Sequence, residues 1–167
     1  MANNILFSEK QRFTQWWLWL ILLSTFAMPS YLMYEQLQEP APFTDPEKNT
    51  AIVLLVVIMV PVMLLFALIK LETQISEDGI SARLYPLHLK WRHYSWPEIE
   101  DVYVREYSPL KEFGGWGLRY GFGGMAYNIS GNQGIQIVFK SGKKLLLGTQ
   151  KPEAATKALK QAQVLAQ

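Results

Sequence analysis

Cysteine is absent from this chain of 167 residues, which removes disulfides, a thiolate nucleophile and Cys-ligated zinc together. Histidine occurs only at 88 and 93, five residues apart in an extended stretch, so the two rings point to opposite faces and make poor metal geometry. No lysine–serine or lysine–threonine pair closes a glycine loop, and Gly115-Trp116-Gly117 meets its next glycine four residues on rather than three. Nucleotide binding is therefore not expected. A net charge of +2 is too close to neutral to point to nucleic acid. No Ser–His–Asp set has a local signature. The expectation is a non-enzymatic protein with no cofactor, no catalytic residues and no metal.

Charge is also missing where the chain is most apolar. Trp16 to Tyr34 and Ala51 to Ile69 are each 19 residues without Asp, Glu, Lys or Arg. As helices they would be about 28 Å long, close to the roughly 30 Å hydrocarbon thickness of a bilayer. Trp16, Trp17 and Trp19 open the first run while Tyr31 and Tyr34 close it, and such rings favour the two headgroup zones. Pro29 is expected to loosen the last part of the first helix, and Pro61 to bend the second. With no ionisable group in either run, the pair reads as an anchor rather than a transport path. A cleaved signal peptide is the rival reading of the first run, with Lys10 and Arg12 as its basic region and Thr25 and Ala27 at the cleavage spacing.

Basic residues set the expected orientation. Lys10 and Arg12 precede the first run, and Lys70, Arg83, Lys90 and Arg92 follow the second. Residues 35–50 between them carry Glu35, Glu39, Asp45 and Glu47 against Lys48 alone. Both termini are expected in the cytoplasm, with a short acidic loop outside. The domains are then a membrane anchor over 1–70 and a cytoplasmic domain over 71–167.

After residue 70 the pattern turns to alternation. Leu71, Thr73 and Ile75 share one face, Glu77-Asp78-Gly79 is a turn, and Ile80, Ala82 and Leu84 share the next. Further strands are expected over Leu89–Ser95, Asp101–Tyr107, Met125–Ser130, Gly134–Lys140 and Lys143–Gly148, seven in all. Pro152 to Ala166 changes to helical spacing, with a stripe of mostly small residues suited to close packing on a sheet. The fold class expected is two transmembrane α-helices followed by an α+β, mostly antiparallel domain.

Seven strands and a terminal helix in this length resemble the pleckstrin-homology-like fold, a partial barrel capped by its C-terminal helix. The string Glu112 to Arg119 (EFGGWGLR), with Ala126-Tyr127, Ser130-Gly131 and Leu147 to Glu153, is similar to the signature of a family of small bacterial membrane proteins carrying such a domain behind a two-helix hairpin. The resemblance implies the fold and the two-span topology, and supplies no catalytic residues; the location expected is the inner membrane. Its first hairpin, Ser76 to Gly79, is acidic here, unlike the basic hairpin with which pleckstrin-homology domains grip phosphoinositides.

Two places are candidates for contact. Residues 108–124 hold six of the 11 glycines, interleaved with aromatic and basic residues. Trp116, Arg119, Tyr120 and Phe122 are the expected anchors for a protein partner or a second copy, since Trp, Tyr and Arg dominate interface energetics. The alternative is a structural flap whose aromatics plug the barrel. Lys140, Lys143 and Lys144 surround one tight turn and are the expected contact if the domain binds lipid headgroups instead.

Overall fold

The computed structural model describes residues 4–40, 44–121 and 123–165. They fall into two compact units. One is Phe13–Leu68; the other joins the segment ending at Arg12 to the segment beginning at Ile69.

The first unit is helical: α1 is Trp16–Ser24, α2 is Ala27–Leu37 and α3 is Pro46–Leu68. Taken as Trp16–Leu37 and Pro46–Leu68, these are two helices long and apolar enough to cross a bilayer. The break between α1 and α2 falls at Thr25 and Phe26, one turn before Pro29. A proline ring excludes the carbonyl four residues earlier, here that of Thr25, so the interruption precedes the proline. Helix α3 runs uninterrupted through Pro61. It also starts five residues before the expected Ala51, because Asp45 Oδ1 accepts hydrogen bonds from the N–H groups of Glu47 and Lys48 at 3.0 and 3.2 Å. An aspartate cap followed by proline is a strong helix start that hydrophobicity alone does not register. Phe13 meets Phe66 edge-on at 5.3 Å, and its carbonyl accepts the Trp19 indole N–H at 2.9 Å.

The second unit contains two sheets. In the first, β1 (Ile5–Arg12), β2 (Lys70–Ser76), β3 (Gly79–Tyr85) and β4 (Arg92–Ser95) lie in chain order, all antiparallel. The second comprises β5 (Ile99–Glu106), β6 (Gly117–Gly121), β7 (Gly124–Asn128), β8 (Gln133–Phe139) and β9 (Lys144–Gly148), in the order β5-β8-β9-β7-β6. All its neighbours are antiparallel except β7 and β9, which run parallel. Among the described residues there are thus nine strands in two sheets that do not close, rather than the expected seven. The two additional strands are β1 and β6, and a short helix α4 (Pro109–Phe113) lies just before β6. The expected third strand, Leu89–Ser95, shortens to β4, since only Arg92 to Ser95 find partners on β3.

β1 changes where the sheet domain begins: the expected anchor, 1–70, contains a strand of that domain. Its inward positions are Phe7, Glu9 and Gln11. Glu9 accepts the Thr149 hydroxyl at 2.6 Å and the Gln150 N–H at 2.8 Å, and Gln11 donates to the Gly148 carbonyl at 2.6 Å. These buried contacts tie the first sheet to the end of β9 in the second. The terminal helix α5 (Pro152–Leu165) turns Ala155, Ala158, Leu159 and Ala162 inward and packs on β1, β2, β5 and β8, so it spans both sheets. Small side chains let the helix axis approach the strands closely. Ala166, the last residue of the expected helix, lies outside the described residues.

Candidate functional site

The described residues of the 108–124 stretch are built rather than loose. Ser108 precedes α4, and Glu112 reaches back to accept its N–H at 2.8 Å, which satisfies a donor the helix leaves open. The Arg105 guanidinium, 2.7 Å from Glu112, holds that carboxyl below the ordinary range. Gly114 ends the helix at φ +69°, the left-handed conformation that glycine adopts without strain. Phe113 is buried edge-on to Tyr107 at 5.9 Å, in a cluster with Ala126 and Leu146. A Cβ on Gly121 would stand 2.1 Å from the Glu112 carbonyl, so only glycine lets β6 pass this close to α4.

The four expected partner-binding residues separate. Trp116 is half-buried and donates its indole N–H to the Gly131 carbonyl at 3.2 Å. Arg119 is exposed, with its Nε donating to the Trp116 carbonyl at 2.9 Å. Tyr120 projects from β6 with 73% of its surface open. Phe122 lies outside the described residues. Trp116 is thus bonded within its own unit, while Arg119 and Tyr120 are exposed on β6, an edge strand of the second sheet. An edge strand offers unpaired backbone donors and acceptors along its free side.

Lys140, Lys143 and Lys144 are all exposed around the β8–β9 turn. Lys143 and Lys144 share a groove of about 550 Å³ with Tyr120 and Met125, so the structure brings two of the lysines to the expected partner anchor. Lys140 and Lys143 line a second groove of about 490 Å³ with Tyr94 and Phe139. The Lys140 N–H also bonds the Glu98 carbonyl at 3.0 Å. Glu98 follows Ser95, which pairs with Gly79 at the β2–β3 turn. That turn is at the opposite end of the first sheet from Arg12 and Lys70, the paired residues from which the chain departs toward α1 and arrives from α3.

Sequence reasoning missed the exposed apolar side chains that stand at the Arg12–Lys70 end. Residues 86–91 connect β3 to β4 there, since Tyr85 pairs with Lys70. Leu87, Leu89 and Trp91 are 51%, 72% and 38% exposed, and Lys90 and Arg92 beside them are exposed as well. The Arg83 guanidinium lies 4.6 Å over the Trp91 ring. Beneath the loop, His88 packs on Tyr127 at 5.0 Å, and Arg92 donates to the Tyr127 hydroxyl at 2.8 Å. Burial, and then the Arg92 charge, lower the His88 pKa, while burial raises that of Tyr127. His88 and His93 are not brought together, since His93 Nδ1 is 2.9 Å from the Ser81 hydroxyl. Burial works against the charge of Glu72, yet hydrogen bonds from Arg83 and Lys70 outweigh it and hold the carboxyl below its ordinary range. The apolar-basic alternation LHLKWR was visible, but it reads equally well as the start of a strand.

No family model matches this chain, no curated protein is significantly similar to it, and no solved structure matches it at significance.

Proposed function

We propose that this chain is a non-enzymatic inner-membrane protein whose helical hairpin anchors a cytoplasmic, pleckstrin-homology-like docking domain. The observation that carries the reading is the pairing of β1 with β2 from opposite sides of the helical unit. Strands that share a sheet must lie on one side of a bilayer, so an anchor inserted between them crosses an even number of times. The basic residues flanking the hairpin and the acidic loop within it favour the cytoplasm for that side. Cleavage near Ala27 would remove β1 and strip Glu9 and Gln11 from their buried partners, which argues for a retained span over a signal peptide. The four-stranded sheet, the second sheet and the helix packed on both support the pleckstrin-homology-like reading. Its departures are the nine strands and the parallel β7–β9 pair.

For docking, the β6 edge with Arg119 and Tyr120 suits a protein partner, or a second copy, that adds a strand and buries the tyrosine. The absence of cysteine makes the topology directly testable. In intact cells, a membrane-impermeant maleimide is expected to label Glu39→Cys from outside, and Lys157→Cys only after permeabilisation. Labelling of Lys157→Cys in intact cells overturns the topology. A photo-crosslinker at Tyr120 is expected to give a discrete adduct, of doubled mass if the partner is a second copy. No adduct beyond that of the same crosslinker at Lys157 removes β6 from the proposal.

A further inference from the structure

Most exposed apolar side chains of the sheet unit stand apart; Leu110 and Tyr103 are examples. Isolated ones need no explanation. Leu87, Leu89 and Trp91 are different, being three exposed apolar groups within five residues, interleaved with Lys90 and followed by Arg92. We infer that this β3–β4 loop, residues 86–91, is a lipid finger that seats its two leucines and its tryptophan in an anionic bilayer interface. The inference rests on the two-span reading above.

Register places the finger. Arg12 and Tyr85 both pair with Lys70, so the loop starts one residue beyond the point where both tethers join the sheet. Only Ile69 separates α3 from β2, and only Phe13 to Gln15 separate β1 from α1. At about 3.5 Å per extended residue, Lys70 lies within about 7 Å of the end of α3 and Arg12 within about 14 Å of the start of α1. The interfacial zone on each side of a bilayer is itself about 5–8 Å thick. The sheet end carrying the loop therefore cannot leave the neighbourhood of the headgroups.

Its chemistry suits that place. Indole and leucine side chains enter the headgroup and acyl boundary, while lysine and arginine keep their charges at the phosphates. Lys10, Arg12, Lys70, Arg83, Lys90 and Arg92 give this end a cationic surface, and its carboxylate, Glu72, sits between Lys10 at 3.8 Å, Lys70 at 3.3 Å and Arg83. His88 faces Tyr127 and Arg92, and its lowered pKa favours the uncharged ring near neutral pH. Shallow insertion therefore need not desolvate a histidine charge. The Lys140 turn lies at the other end of the first sheet, which leaves it a weaker candidate for headgroup contact.

A nitroxide on a single introduced cysteine reads the depth, using the full chain in nanodiscs of mixed phosphatidylglycerol and phosphatidylcholine. Leu89→Cys and Leu87→Cys alter exposed positions and are expected to fold. Their labels should be relaxed by oxygen and shielded from a water-soluble nickel chelate, whereas a label at Lys143→Cys should show the reverse. Replacing the anionic lipid with phosphatidylcholine alone should weaken the shielding; equal shielding in both compositions overturns the anionic preference. A Leu89 label as open to nickel as the Lys143 label overturns the finger, and one shielded from both reagents overturns it in favour of a protein contact. A label at Val57→Cys, in the middle of α3, separates the premises. If it lies in hydrocarbon while the Leu89 label lies in water, the finger fails alone; if the Val57 label is in water, the two-span reading fails with it.

Discussion

Leu54 and Val57 in α3 leave more than half of their surface uncovered, whereas Ile75, Ile80 and Leu84 in the first sheet are fully enclosed. The side chains are chemically alike, and their surroundings are opposite. A helix that satisfies its own backbone hydrogen bonds can turn apolar groups outward on all sides if lipid receives them. A strand cannot, because its backbone needs neighbours, and those neighbours bring a second layer that covers one face. The same methyl groups contribute through burial in the sheet unit and, if lipid receives them, would contribute through solvent matching in the helical unit.

Substitutions can break that contrast, beginning with the largest expected effect. Leu84→Ala should cost about 2–5 kcal/mol of sheet-domain stability, from lost burial and the cavity left behind. Leu54→Ala, open on α3, should change the same unfolding midpoint by less than about 0.5 kcal/mol. Chemical denaturation of the detergent-solubilised chain, followed by hydrogen exchange of the strand amides, measures both. Equal losses would mean that α3 packs as a core helix does.

A smaller effect tests the seam between the sheets. Glu9→Ala removes a buried carboxylate and leaves the Thr149 hydroxyl and the Gln150 N–H without their acceptor, a loss of about 2–3 kcal/mol. Lys10→Ala, the exposed neighbour on the same strand, should stay within about 0.5 kcal/mol. Accelerated exchange in β1 and at the start of α5, in the Glu9 variant only, would show that the N-terminal strand is held by this contact.

The smallest effect is set by pH. Glu72 and Glu112 have folded pKa values below the ordinary glutamate value of 4.5. Their contribution is therefore complete above about pH 4.5 and is lost as pH falls through the lower folded values. Because Glu112 is partly exposed, Glu112→Gln should flatten the acid limb of a stability profile by less than about 1 kcal/mol. The apolar runs between Trp16 and Tyr34 and between Ala51 and Ile69 carry no carboxylate, so far-UV helix signal should persist through the same titration.

Elements with a clean period were readable in the chain. β2 alternates from Lys70 to Ile75 and β3 from Ile80 to Tyr85 around a glycine turn, and α5 shows its small-residue stripe. β1 was hidden because two of its inward positions are Glu9 and Gln11, polar groups whose partners lie some 140 residues away. β6 was hidden because all five of its residues keep some exposure and two are glycine, so no face stands out. Of the contact residues, Tyr120 is presented as a binding anchor needs to be, while Trp116 is partly spent on Gly131. That difference depends on how β6 pairs with β7, and no local pattern encodes it.

Composition and periodicity alone determined the two apolar helices, the acidic connection between them and a mainly antiparallel domain after them, because each follows from interactions within a few residues. The tertiary structure decided that a strand preceding the helices pairs into the sheet unit that follows them, that a buried glutamate joins that strand to the residues after β9, and that a leucine–tryptophan loop stands at the Arg12–Lys70 end of the first sheet. These outcomes depend on which distant strands find each other, and the energy of a long-range pair has no trace in the sequence next to either partner.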